Sequence, residues 1–107
     1  MRRVELPAEI RGTLFLHAMP GRKESMAAFQ ADYQAERIEK LVCLTDAQEV
    51  REWSPGYALA IEVGDLAPEM FPISDFGVPE DRAHFLAQAR AIAAGLRAGE
   101  RVLLHCA

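Results

Sequence analysis

The segment Arg101-Val102-Leu103-Leu104-His105 constrains the fold more than any other stretch of the chain. It is short and apolar on both sides, the pattern of a strand covered on both faces in the middle of a parallel sheet. Parallel neighbours cannot be joined by a tight turn and need a crossover, usually a helix. The rest of the sequence should therefore alternate helices with other buried strands.

It does. Thr13-Leu14-Phe15-Leu16-His17 reads as a first strand, closed by the breaker pair Pro20-Gly21 and a charged loop, Arg22-Lys23-Glu24. From about Ser25 to Arg37, Met26, Phe29 and Tyr33 recur at three- and four-residue spacing, which predicts an amphipathic helix. Leu41-Val42-Cys43-Leu44 reads as a buried strand. Asp46 with Glu49 three residues on has the form of a capping box opening a short helix toward Trp53, which Ser54-Pro55-Gly56 ends. Tyr57 to Val63 stays open between strand and helix, because Leu59, Ile61 and Val63 alternate within a stretch that would also suit a short helix. Met70 to Ile73 is extended, and Ser74 to Pro79 is a loop. Pro79, Glu80 and Asp81 open a long helix whose inner face is Phe85, Ala89, Ile92, Ala93 and Leu96, and Gly99 stops it.

The fold class expected is α/β, with a central, mostly parallel sheet flanked by helices. The 107 residues suffice for one core, and no repeat or linker divides them. The apolar strand ends two residues before the sequence does. The expectation is thus a single incomplete domain, the N-terminal part of a unit finished by a further segment or a second chain.

Twelve Lys and Arg against sixteen Asp and Glu leave a formal charge of −4, which gives no basic surface for a polyphosphate backbone and argues against nucleic-acid binding. No run approaches the roughly 18 to 20 apolar residues of a membrane span. Glu9 and Arg11 interrupt any apolar centre of an export signal, so the expected location is cytoplasmic. The two cysteines, Cys43 and Cys106, both lie in apolar runs, outlining neither a disulfide framework nor a zinc site.

Cys106 directly follows the apolar strand, at the strand end where open α/β sheets place reactive groups. A thiolate there becomes a nucleophile when the N–H groups of the next turn face it; a buried structural cysteine is the alternative. Asp75 lies in the loop before the long helix that leads back to the Cys106 strand, so both can return to one rim of the sheet. A carboxylic acid opposite a thiolate can protonate a leaving oxygen and then deprotonate water.

Two stretches, Phe71-Pro72-Ile73-Ser74-Asp75-Phe76-Gly77-Val78-Pro79 and Val102-Leu103-Leu104-His105-Cys106-Ala107, resemble the acid loop and the first part of the signature of cysteine-dependent protein tyrosine and dual-specificity phosphatases. Met19-Pro20-Gly21-Arg22-Lys23 and Val42-Cys43-Leu44-Thr45 are similar to the compact kinase-associated dual-specificity branch. The resemblance implies hydrolysis of phosphate monoesters on protein tyrosine, and also on serine or threonine, through a phosphocysteine. Cys106 would be the nucleophile and Asp75 the acid and then the base. His105 would support the cysteine from within the loop, while Phe76 and Ala107 would line the substrate site. No metal or cofactor is implied, and the partner is a phosphorylated protein. The family signature is His-Cys, five residues, then Arg, so the 107 residues alone are expected to be inactive.

Two other readings stand beside it. One is an inactive module of the same fold that binds phosphorylated partners. The other is a rhodanese-type sulfur transferase, which has no need of Asp75. Of the remaining residues, Cys43 reads as a small buried hydrophobe, and Trp53 and Tyr57 as packing at the edge of the core. Arg22 and Lys23 read as a solvated charged loop or as recruiters of an acidic substrate.

Overall fold

A computed structural model describes residues 1–73 and 82–107. Among them, five strands form one sheet: β1 (Arg2–Val4), β2 (Thr13–His17), β3 (Lys40–Cys43), β4 (Glu69–Met70) and β5 (Arg101–His105). Four helices accompany it: α1 (Met26–Ala35), α2 (Ala47–Trp53), α3 (Pro55–Glu62) and α4 (Arg82–Arg97). The strand order is β1-β2-β5-β3-β4. β5 lies parallel between β2 and β3, with Leu103 opposite Phe15 on one side and Leu41 on the other. The central parallel strand expected from the sequence is therefore present, and the architecture is mixed α/β.

Alternation along the strands divides the interior in two. Phe15, Leu41, Cys43 and Leu103 pack on one face with Phe29 of α1, Val50 of α2 and Tyr57 and Ala60 of α3. Val42 and Val102 pack on the other with Phe85, Ile92 and Leu96 of α4, joined by Phe71. Three helices thus cover one face and α4 the other, which is why β5 has to be apolar on both. Among the described residues no helix is long and apolar enough to cross a membrane.

Local signals hold at the helix ends. Ser25 accepts from the Ala28 N–H at 3.0 Å and Asp46 from the Glu49 N–H at 2.8 Å, each satisfying an amide that the helix leaves unpaired. At the end of α4, Gly99 takes φ 98°, and Glu100 N–H bonds the Gly95 carbonyl at 2.9 Å. α1 ends the same way, with Ile38 N–H on the Tyr33 carbonyl and Arg37 N–H on that of Gln34, but here the left-handed position holds Arg37 at φ 53°. A residue with a Cβ pays about 1–2 kcal/mol there, partly offset in a glycine variant by the looser unfolded chain. Arg37→Gly is expected to stabilise the protein by about 0.5–1 kcal/mol, read as a higher urea midpoint at unchanged slope.

Two details differ from the sequence reading, and one that it left open is decided. β1 was not expected; it pairs antiparallel with β2 and carries Arg2 and Arg3 on a sheet edge, where charge discourages further pairing. The stretch left open, Tyr57 to Val63, is helical: Tyr57 to Glu62 belong to α3, Val63 caps it, and Pro55 is in its first turn. Trp53 and Tyr57 do not share the core edge: Tyr57 is fully buried, whereas Trp53 is 48% exposed.

Candidate functional site

The C-terminal ends of the parallel strands meet around Cys106. Leu44 N–H donates to the His105 carbonyl at 2.9 Å, and Met19 N–H to the Ala107 carbonyl at 3.4 Å, so Cys106 lies between the loops that leave β3 and β2. Its side chain is exposed, while Cys43, one strand away and level with His105, is buried. The Cys43 thiol donates to the Thr45 carbonyl at 3.3 Å, as expected of a small interior residue. His105 and Ala107 therefore flank the exposed thiol. Asp75 and Phe76 lie outside the described residues. The chain leading to them stays on this edge: Phe71 N–H bonds the Cys43 carbonyl and Ile73 N–H that of Leu44. Ile73 thus sits two strand spacings from Cys106, roughly 10 Å in the hydrogen-bonding direction.

His105 is buried, with both ring nitrogens engaged. Nδ1 lies 2.9 Å from the Cys106 carbonyl oxygen, and Nε2 lies 2.8 Å from the Tyr57 hydroxyl. A carbonyl only accepts, so Nδ1 carries the proton and Nε2 of the neutral ring accepts from Tyr57. Tyr57 also meets the imidazole edge-on, with ring centroids 5.2 Å apart. Burial pushes the Tyr57 hydroxyl far above its ordinary pKa, with Cys43 and Tyr33 adding to the shift, so it stays a donor. Burial likewise lowers the His105 pKa. The Cys106 carbonyl pulls it up in part, and neighbouring His17 lowers it further. The result is a neutral imidazole of one tautomer, holding the Cys106 peptide at the edge of the sheet.

This arrangement sets a pH dependence. Unfolded, His105 takes up a proton near pH 6.5, whereas the native ring stays neutral to lower pH. Below about pH 6.5 the unfolded state binds more protons, and stability falls as pH falls until the native pKa is reached; above pH 6.5 the contribution is complete. The slope approaches about 1.4 kcal/mol per pH unit for one proton. Urea unfolding at several pH values between 5 and 8 should show that limb in the native sequence and a flatter one in His105→Gln.

The β2 loop is anchored on the same edge. His17 Nε2 pairs with Glu24 Oε1, and the His17 ring stacks on Phe29 with centroids 5.6 Å apart. Ser54 Oγ donates to the Pro20 carbonyl at 2.6 Å, tying the loop to the junction of α2 and α3. Arg22 lies over Trp53, 4.5 Å from the ring centroid. Two clefts among the described residues lie elsewhere. One of about 420 Å³ runs past Arg3, Leu6 and Thr13 at the opposite end of β2, and one of about 340 Å³ lies between α1 and Asp65-Leu66.

The sequence reading missed Tyr57 as a site residue. Its partner is 48 positions away, and only the buried phenol's need for a hydrogen bond hinted at one. No protein-family model, curated protein or solved structure matches this chain.

Proposed function

We propose that this chain carries the nucleophile and the acid of a cysteine-dependent phosphatase that hydrolyses phosphate monoesters on protein tyrosine, and on serine or threonine. The observation that carries the reading is the setting of Cys106: an exposed thiol at the end of the central parallel strand, directly after a buried His105 that Tyr57 holds as a neutral donor to the Cys106 carbonyl. The likeness of the Cys106 and Asp75 segments to the phosphatase signature and acid loop points the same way.

In this reading the Cys106 thiolate attacks phosphorus. The S–P bond forms, the P–O bond to the substrate breaks, and the Asp75 carboxylic acid gives its proton to the departing oxygen. Asp75, now a carboxylate, takes a proton from the water that attacks the phosphocysteine, releasing inorganic phosphate and the thiolate. Ala107 begins the backbone cradle around the phosphate and Phe76 lines the cleft, and the reading requires an Arg six positions after Cys106 to complete the signature. A reducing, cytoplasmic setting accords with a working thiol.

The direct test is turnover of p-nitrophenyl phosphate by the native protein, meaning one that carries these residues together with the signature Arg six positions after Cys106, with acid quenching to trap a phosphorylated enzyme. Release of p-nitrophenol together with a phosphocysteine at Cys106 is the expected result. A protein that turns over no phosphate ester, or does so without a phosphorylated intermediate, overturns the reading.

A further inference from the structure

On this edge the structure seats Arg22 over an aromatic ring, and no ion pair among the described residues gives it a counter-charge. Met19 to Arg22 form a tight turn, with Arg22 N–H on the Met19 carbonyl at 3.2 Å, Pro20 in the second position and Gly21 at φ 84° in the third. A side chain at Gly21 would meet Ser54 Oγ at 2.6 Å, so the turn is packed as well as bonded. A turn brings its first and last Cα within about 7 Å. Met19 is bonded to Ala107, which places Arg22 at the rim beside Cys106.

The guanidinium is then fixed from below by the Trp53 ring at 4.5 Å. No described ion pair involves Arg22, and the carboxylates nearest in sequence to the pair are engaged elsewhere, Glu24 with His17 and Glu52 with the Gln48 amide. A guanidinium attracted to a ring face through its charge still has N–H groups to donate, and these fit a carboxylate or phosphate in two parallel hydrogen bonds. The side-chain ordering that such a pair ordinarily costs has already been met by Trp53 and the turn.

We propose that Arg22, held on Trp53, is a specificity-determining residue that takes a second oxyanion of the substrate, a carboxylate or a phosphate carried a few residues from the phosphate that Cys106 attacks. The inference rests on the phosphatase reading for the identity of the scissile group, but not for the anion site itself.

The test uses three phosphotyrosine peptides that differ only in the flank: glutamate, phosphoserine or glutamine. The native protein should show kcat/KM about ten- to a hundredfold higher on the better anionic flank than on glutamine, and Arg22→Gln should bring that ratio close to one. Arg22→Lys, which keeps the charge without the planar fork, should restore only part of it. The glutamate and phosphoserine arms decide which oxyanion is preferred. A second readout needs no turnover: Trp53 is the chain's single tryptophan, so its fluorescence should respond to the anionic peptides, weakly to the glutamine peptide, and to none of them selectively in Arg22→Gln. A native protein indifferent to the flank, or an Arg22→Gln protein that keeps the preference, overturns the proposal. A protein inert toward p-nitrophenyl phosphate whose fluorescence still selects anionic flanks through Arg22 overturns the phosphatase reading and leaves the anion site standing.

Discussion

Cys106→Ser is expected to reduce phosphate-ester turnover to background, and Asp75→Asn to lower kcat on phosphotyrosine about 10²- to 10⁴-fold. The serine hydroxyl is not ionised at neutral pH, so no covalent phosphoenzyme should form. Asparagine keeps the size of Asp75 but can neither donate a proton to the leaving oxygen nor accept one from water. The Asp75→Asn loss should shrink on p-nitrophenyl phosphate, whose leaving group needs little protonation, and grow on alkyl phosphates. That dependence identifies an acid acting on the leaving group. Cys106 is exposed, so serine there should leave the urea midpoint unchanged and the loss can be assigned to chemistry. A Cys106→Ser protein with native turnover, or an Asp75→Asn protein equally active on all leaving groups, would remove the mechanism.

Tyr57→Ala is expected to destabilise the protein by about 3–5 kcal/mol, the largest stability effect among these variants. Tyr57 is among the largest fully buried side chains, and truncation leaves a cavity beneath the end of the sheet together with an unpaired His105 Nε2. Tyr57→Phe separates the two contributions. It keeps the ring and loses only the hydroxyl, at about 1–3 kcal/mol for the buried acceptor left unpaired. Chemical denaturation of both variants checks the magnitudes. If Tyr57→Phe costs nothing, the phenol does not hold His105, and the account of the neutral imidazole falls with it. The phenylalanine variant should also alter the pH profile of turnover, because His105 Nε2 loses the donor that favours the neutral ring.

Much of the fold was legible because its signals are local. Ser25, Asp46 and Gly99 mark helix ends by satisfying backbone groups within one turn, and each acts at the position its residue type implies. The apolar run of β5 announced burial on both faces before any neighbour was known. β1 was illegible for the opposite reason. Three residues, two of them arginine, carry no pattern of their own and become a strand only by pairing with β2. In and just after α3 the apolar residues Leu59, Ile61 and Val63 suited either period. What decides is the inner face, where Tyr57 and Ala60 are buried three apart while Leu59 and Val63 face outward.

The candidate site divides along the same line. That Cys106 would follow a buried strand could be inferred from the order of residues alone, since strand burial depends on side chains a few positions apart, whereas the exposure of its thiol was left open between a reactive and a buried cysteine. The bond of His105 to Tyr57 and the contact of Arg22 with the Trp53 ring join residues 48 and 31 positions apart. Such contacts exist only once the parallel order β2-β5-β3 brings the loop ends together. Helix ends and strand burial were therefore written in the amino-acid order, whereas the strand order and the electrostatics around Cys106 were decided by tertiary structure. Their energies come from partners that no local window contains.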